Sequence, residues 1–142
     1  MGALANCIGV LPPTGEVAMA TTRAVEAALM ELPQVELQTE HQLHAGVYAR
    51  TVKIPAGVAI TGALIKIPTV LIVSGKLMMS AGDKCIHVNG FASFNCPAGR
   101  KQIMVAEEDS YVTMVFASSA KTVEEAEEEF TDEVDLLMSR KE

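Results

Sequence analysis

The chain has 142 residues, 49% of them hydrophobic but only 4% aromatic, with no Trp and a net charge of −7. That length suits one domain around one sizeable core of aliphatic side chains. An acidic chain with few rings lacks the basic surface and stacking platforms that nucleic acid needs. It also lacks the ~18 uninterrupted apolar residues of a membrane-spanning helix, so neither nucleic acid nor a membrane is an expected partner.

The charge is unevenly placed. Residues 1–121 carry nine acids and nine bases, whereas residues 122–142 carry nine acids against Arg140 and Lys141. A segment with its own charge regime reads as a distinct module. The three cysteines, Cys7, Cys85 and Cys96, have neither metal-ligand nor redox spacing. The start, MGALANCIGVLPP, has no basic region and too short an apolar run for a secretory signal. The expectation is a reduced protein of the cytoplasm, not a secreted one.

In chain order, residues 3–14 form an apolar, Pro-Pro-containing lead-in, read as extended. After Thr22 the run RAVEAALMEL predicts a three-turn helix ending at Pro33, with Val25, Ala28, Leu29 and Leu32 on one face and Thr21 or Thr22 as N-cap. It is read as a packing helix over an open end of the β unit. PQVELQTE, 33–40, alternates and predicts an edge strand. His41 and His44 share a face only in a helix. In this Val/Tyr/Thr-rich context a strand is expected, which makes them one packed and one surface histidine. On the strand that follows, Tyr48, Arg50, Val52 and Ile54 share one face; Val47, Ala49, Thr51 and a solvated Lys53 share the other. Arg50 among Tyr and Val calls for a buried carboxylate or a ligand.

Residues 54–57 and 96–99 repeat one phrase, IPAG and CPAG, in which Pro presets φ and Gly supplies φ > 0 for a tight turn. Between them, strands are predicted over 58–66 and 69–73 and on through Met79, with turns at Ser74-Gly75, Gly82-Asp83 and Asn89-Gly90. The short strand Lys84–Val88 carries His87, read as structural. Strands over 101–106 and 111–117 close the set, with Glu107, Glu108, Asp109 and Ser110 as a solvated hairpin tip. The spacing argues a closed or two-sheet antiparallel unit.

The final segment changes to helical period. Thr122-Val-Glu-Glu125 is a capping box, and Val123, Ala126 and Phe130 line one side, continued by Val134, Leu137 and Met138 after a break at Thr131-Asp132. Large apolar side chains set it apart from a disordered acidic tail. It predicts an ordered helical arm that docks by its apolar stripe and shows its carboxylates to solvent.

The pattern of 46–117 resembles the cupin superfamily of small jelly-roll barrels. Cupins carry G-x5-H-x-H-x3–4-E-x6-G and then G-x5-P-x-G-x2-H-x3-N. Here Gly75 matches the closing Gly of the first motif, and Gly90, Pro97 and Gly99 match the second, with one extra residue in the first gap. The metal-ligand positions fall on Pro68, Gln102 and two residues within Thr61–Leu64, and Ala106 stands where the motif has Asn. The resemblance therefore implies the scaffold without its metal site. The longer pattern, from HAGVYARTVKIPAG to KTVEEAEEEFTDEVDLLMSR, is similar to small cupin-like proteins of tailed phages and prophages.

The expected fold is a mainly β, cupin-like jelly-roll β-barrel in a single domain, 1–142: lead-in, helix and edge strand over 1–45, the barrel over 46–117, the acidic helical arm over 122–142. The expected function is a non-enzymatic structural or binding protein, phage- or prophage-encoded, in the host cytoplasm or the virion. No metal and no cofactor are expected. Partners would be a second copy of itself, as a homodimer or higher assembly, and other phage structural proteins. The alternative is a metal-free small-molecule-binding or isomerase-type cupin, for which an acid–base pair is required. Its ligand-contact candidates are His44, Tyr48, Arg50 and Gln102, and no catalytic residue is assigned.

Overall fold

The computed structural model describes residues 7–137. The element that shapes it is one long hairpin, β5 (Thr69–Ala81) and β6 (Lys84–Cys96), closed by the predicted Gly82-Asp83 turn. Along β5 the odd-numbered residues Thr69, Leu71, Val73, Leu77, Met79 and Ala81 are buried, a strand's period of two held over thirteen residues. The turns expected at Ser74-Gly75 and Asn89-Gly90 do not form. Instead Gly75 and Gly90 face each other across the ladder, each with φ > 0 (137° and 111°), and the strands run on through them. Before Gly75, β5 pairs with β8 (Ser110–Ala117); after it, with β7 (Ile103–Ala106). The glycine pair is thus the corner where the hairpin passes from one sheet to the other. Ser110 packs into the space a side chain would take: a Cβ on Gly75 would lie 2.7 Å from its Cα.

The larger sheet runs β1 (Cys7–Val10), β6, β5, β8, β3 (Val47–Ile54), β2 (Thr39–His44), with β1 parallel to β6 and the other pairs antiparallel. The smaller sheet adds β7 and β4 (Ala59–Thr61) beside the second half of β5. This is the expected two-sheet jelly roll, although the sheet does not close on itself. Tyr48, Ile54, Val73, Leu77, Met79 and Val88 lie in the core between the sheets, each at most 1% exposed.

Several expectations need correction. Helix α1 spans Glu16–Met30, starting before Thr22, because EVAMATT is itself a helix-forming run; Gly15 occupies the N-cap without a side-chain bond. Thr22 lies inside the helix, buried, with its hydroxyl donating to Ala18 O at 2.8 Å. Ala28 and Leu32, expected on the packed face, are exposed. The edge strand spans Thr39–His44 rather than starting at Pro33, its ladder with β3 beginning at Thr39 opposite Val52. Residues 58–66 contribute only β4 and an isolated bridge from Ile65 to Arg100. Glu107–Ser110 is no hairpin tip: β7 and β8 belong to different sheets, and the segment is their connection. There Asp109 accepts from Ala56 N at 2.9 Å and lies 3.6 Å from Lys53 Nζ, so neither residue is merely solvated.

The arm is ordered and docked. Thr122 Oγ1 accepts from Glu125 N and Glu125 Oε1 from Thr122 N, completing the capping box of α2 (Val123–Phe130). A 3-10 turn, Val134–Leu136, follows the break at Thr131. Ala126, Phe130 and Leu137 are buried; Met138 and the residues after it lie outside the described range. Not all its carboxylates face solvent, because Glu127 is buried and Glu133 half-buried.

Candidate functional site

The pleat of β3 points Tyr48, Arg50, Val52 and Ile54 inward, as expected. Arg50 Nη1 donates to Glu127 Oε2 of α2 at 3.0 Å, the buried carboxylate that the strand's composition called for. One turn on, the Phe130 ring lies 5.6 Å from the Arg50 guanidinium and stacks on Tyr48 at 6.2 Å between centroids. Phe116, opposite Tyr48 on β8, closes the cluster at 5.4 Å. His41, opposite Arg50 on β2, brings Nδ1 within 2.7 Å of the Tyr48 hydroxyl.

Burial pushes the Tyr48 hydroxyl above its ordinary range, partly offset by the Arg50 guanidinium. Burial first, and then the Arg50 charge, hold His41 below the usual imidazole value. Both shifts favour a neutral phenol beside a neutral imidazole, an acid–base pair in kind, with the histidine tautomer setting which of the two donates. Tyr48 is 0% exposed, however, and its ring is covered by Phe116 and Phe130. The phenol is therefore closed off from solvent, while His41 stays half-buried at the edge strand. The histidine in this cluster is His41. His44, the one expected, is exposed at the end of β2 beside a shallow depression formed with Gly46 and Ser118–Lys121.

Below this cluster, between the sheets, lies a cavity of about 170 Å³. Its walls are apolar, among them Ile60, Ile65, Leu71, Met104, Val112, Met114, Phe130 and Leu137. Arg50 and Gln102, two of the four expected contact residues, reach it; Tyr48 and His44 do not line it. Gln102 Nε2 donates to Ser80 O at 2.9 Å, and its Oε1 accepts from Arg100 Nε at 3.3 Å. Arg100, which no motif in the sequence singles out, also lines the cavity and is 2% exposed. It further donates to Pro97 O and to Thr69 Oγ1, each at 3.0 Å, and burial pushes its pKa down. Its neighbour Lys101, 1% exposed, turns the other way, to Glu26 at 2.8 Å and Glu133 at 3.1 Å. Burial raises Glu133, but the Leu64 N–H, Arg23 and Lys101 outweigh it and hold that carboxyl below the usual range.

These side chains do not fit the metal of a metallocupin. Thr61 and Ala63 line the cavity, Pro68 is exposed, and the Gln102 amide is committed to Ser80 and Arg100. Hydroxyl and amide groups are poor substitutes for the imidazole and carboxylate donors that transition metals take. Among the described residues, no three His, Cys, Asp or Glu side chains converge.

No protein-family model matches the sequence, and no curated protein does. Solved structures do. KdgF from a Halomonas species superposes with a TM-score of 0.50 at 19% identity, covering 61% of this chain and 84% of its own. A cupin superfamily protein from Desulfitobacterium hafniense gives 0.49 at 12% identity, over 66% and 87% of the two chains. A cupin-2 domain protein from Shewanella frigidimarina gives 0.46 at 16% identity, over 70% and 98%. At such identities the likeness concerns the fold, which is a cupin-type jelly roll.

Proposed function

We propose that this protein is a non-enzymatic cupin-fold binding and structural protein. In this reading it is encoded by a tailed phage or prophage, self-associates, and works in the virion or as an auxiliary in the host cytoplasm. The observation that carries the non-enzymatic part is the state of the barrel interior. Arg50 is neutralised by Glu127 of the docked arm, Gln102 is committed to Ser80 and Arg100, and the Tyr48 phenol is covered by rings. What remains inside is a small, mainly apolar cavity whose lining, among the described residues, holds Arg50, Arg100 and Gln102 but no imidazole or carboxylate to serve as a base.

Self-association is supported by the outer face of the larger sheet, where Phe91, Ser74 and Tyr111 stand in one row across three strands, both rings exposed. The phage context rests on the sequence resemblance of residues 44–57, 62–75, 98–102 and 121–140. Light scattering on the purified chain tests the assembly: a dimer or larger species is expected, and a 15.1 kDa species at all micromolar concentrations refutes it. Elemental analysis after purification without chelator tests the chemistry. Near-stoichiometric iron, manganese, nickel or zinc that survives dialysis would restore the enzyme reading.

A further inference from the structure

Among the described residues three cations are buried, and two have carboxylates. Arg50 has Glu127; Lys101 has Glu26 and Glu133. Arg100 has, among the described residues, only neutral acceptors: the Pro97 carbonyl, the Thr69 hydroxyl and the Gln102 amide oxygen. A guanidinium carries five N–H donors, and those three bonds leave one N–H on each terminal nitrogen without a partner among the described residues. A buried cation lacking a counter-charge is costly, and this one forms part of a cavity wall.

We propose that the cavity is a binding site for a small monocarboxylate with an apolar body, whose carboxylate supplies the charge that Arg100 lacks. This names the ligand class of the binding protein proposed above and rests on that reading. The ligand's oxygens take the two open N–H groups of the guanidinium, the planar pairing that makes arginine a carboxylate binder. Apart from Arg50, Gln102, Thr39 and Thr61, the remaining walls are hydrocarbon and thioether, suited to an alkyl or aryl body. Size sets the limit: an apolar cavity of about 150 Å³ takes benzene, so about 170 Å³ admits benzoate or a short branched acid. A dicarboxylate or phosphate ester is disfavoured, because the other guanidinium on the wall, Arg50, already has its carboxylate. Leu37, Ile60–Ala63 and Leu136 line both the cavity and a surface groove beside the end of α1, so a ligand would enter past them. At Gly62 in that wall an added Cβ would meet nothing within 4 Å.

The test is titration of the full chain, carrying 13C-labelled methionine methyls, with benzoate and with neutral benzamide. Met104 and Met114 report from the cavity wall; Met30 and Met78 lie outside it. The expected result is a saturable shift of the Met104 and Met114 methyls by benzoate, with a Kd at or below about 1 mM, and binding of benzamide weaker by ~10-fold or more. Arg100→Met should abolish the preference; should that variant fail to fold, the wild-type comparison decides. No saturable shift, equal affinities, or shifts confined to Met30 and Met78 would overturn the assignment. A carboxylate that binds in the cavity and is then chemically converted would uphold it while refuting the non-enzymatic reading.

Discussion

Replacing Glu127 by Gln tests the contact that ties the arm to the barrel. The Glu127 side chain is 1% exposed and that of Arg50 10%, with 3.0 Å between them. Removing the negative charge while keeping the shape leaves the guanidinium without this carboxylate under the protein surface. Breaking a buried pair in this way costs about 3–5 kcal/mol; the amide oxygen can still accept one bond, which places the variant near the lower end. Urea unfolding reads this directly. With a slope of about 2 kcal/mol per molar for a domain of this size, a loss of about 3 kcal/mol lowers the midpoint by about 1.5 M. The double variant Arg50→Met/Glu127→Leu removes both charges and fills similar volume. It should unfold within about 1 kcal/mol of the wild type, or above it, because neither ion then has to be desolvated. A midpoint shift below about 0.3 M for Glu127→Gln, or a double variant no more stable than the single one, refutes the reasoning.

Gly75→Ala should destabilise by at least about 2 kcal/mol, since the new Cβ meets the Ser110 backbone at a φ of 137°; an unchanged urea midpoint would show that the corner is not packed as described. His41 titrates below its unfolded value, so the folded state binds fewer protons. Its contribution is complete above about pH 6.5 and is lost as pH falls from there toward the folded pKa. The stability difference between wild type and His41→Gln should therefore shrink between about pH 7 and pH 5, and a flat difference contradicts it. Truncation after Lys121 removes the buried Phe130 and Leu137 and the carboxylates facing Arg50 and Lys101. Burial of each apolar side chain is worth roughly 1.5–3 kcal/mol, so calorimetry should show a large loss of Tm or no cooperative transition; an unchanged Tm would make the arm a mere tether.

Much of the architecture is written in near-neighbour chemistry. The capping box at Thr122–Glu125 needs only residues three apart, and it forms as the sequence requires. The inward row on β3 follows from the pleat, and the turn at Gly82-Asp83 from its own backbone preferences. Tertiary structure decided what depends on distant partners. Asn89-Gly90 has hairpin chemistry, yet it runs straight on because β7 and β8 bind β5 on either side of Gly75 and make continuation the lower-energy path. Ser110, 35 positions along the chain from Gly75, fixes that corner. Arg50 finds its carboxylate 77 residues away, on a segment whose charge pattern reads as solvated until Phe130 docks. Arg100 and Lys101 are neighbours of one charge in the sequence. Which of them is neutralised from within, and which faces the cavity with neutral partners, follows only from where α1 and the arm place Glu26 and Glu133.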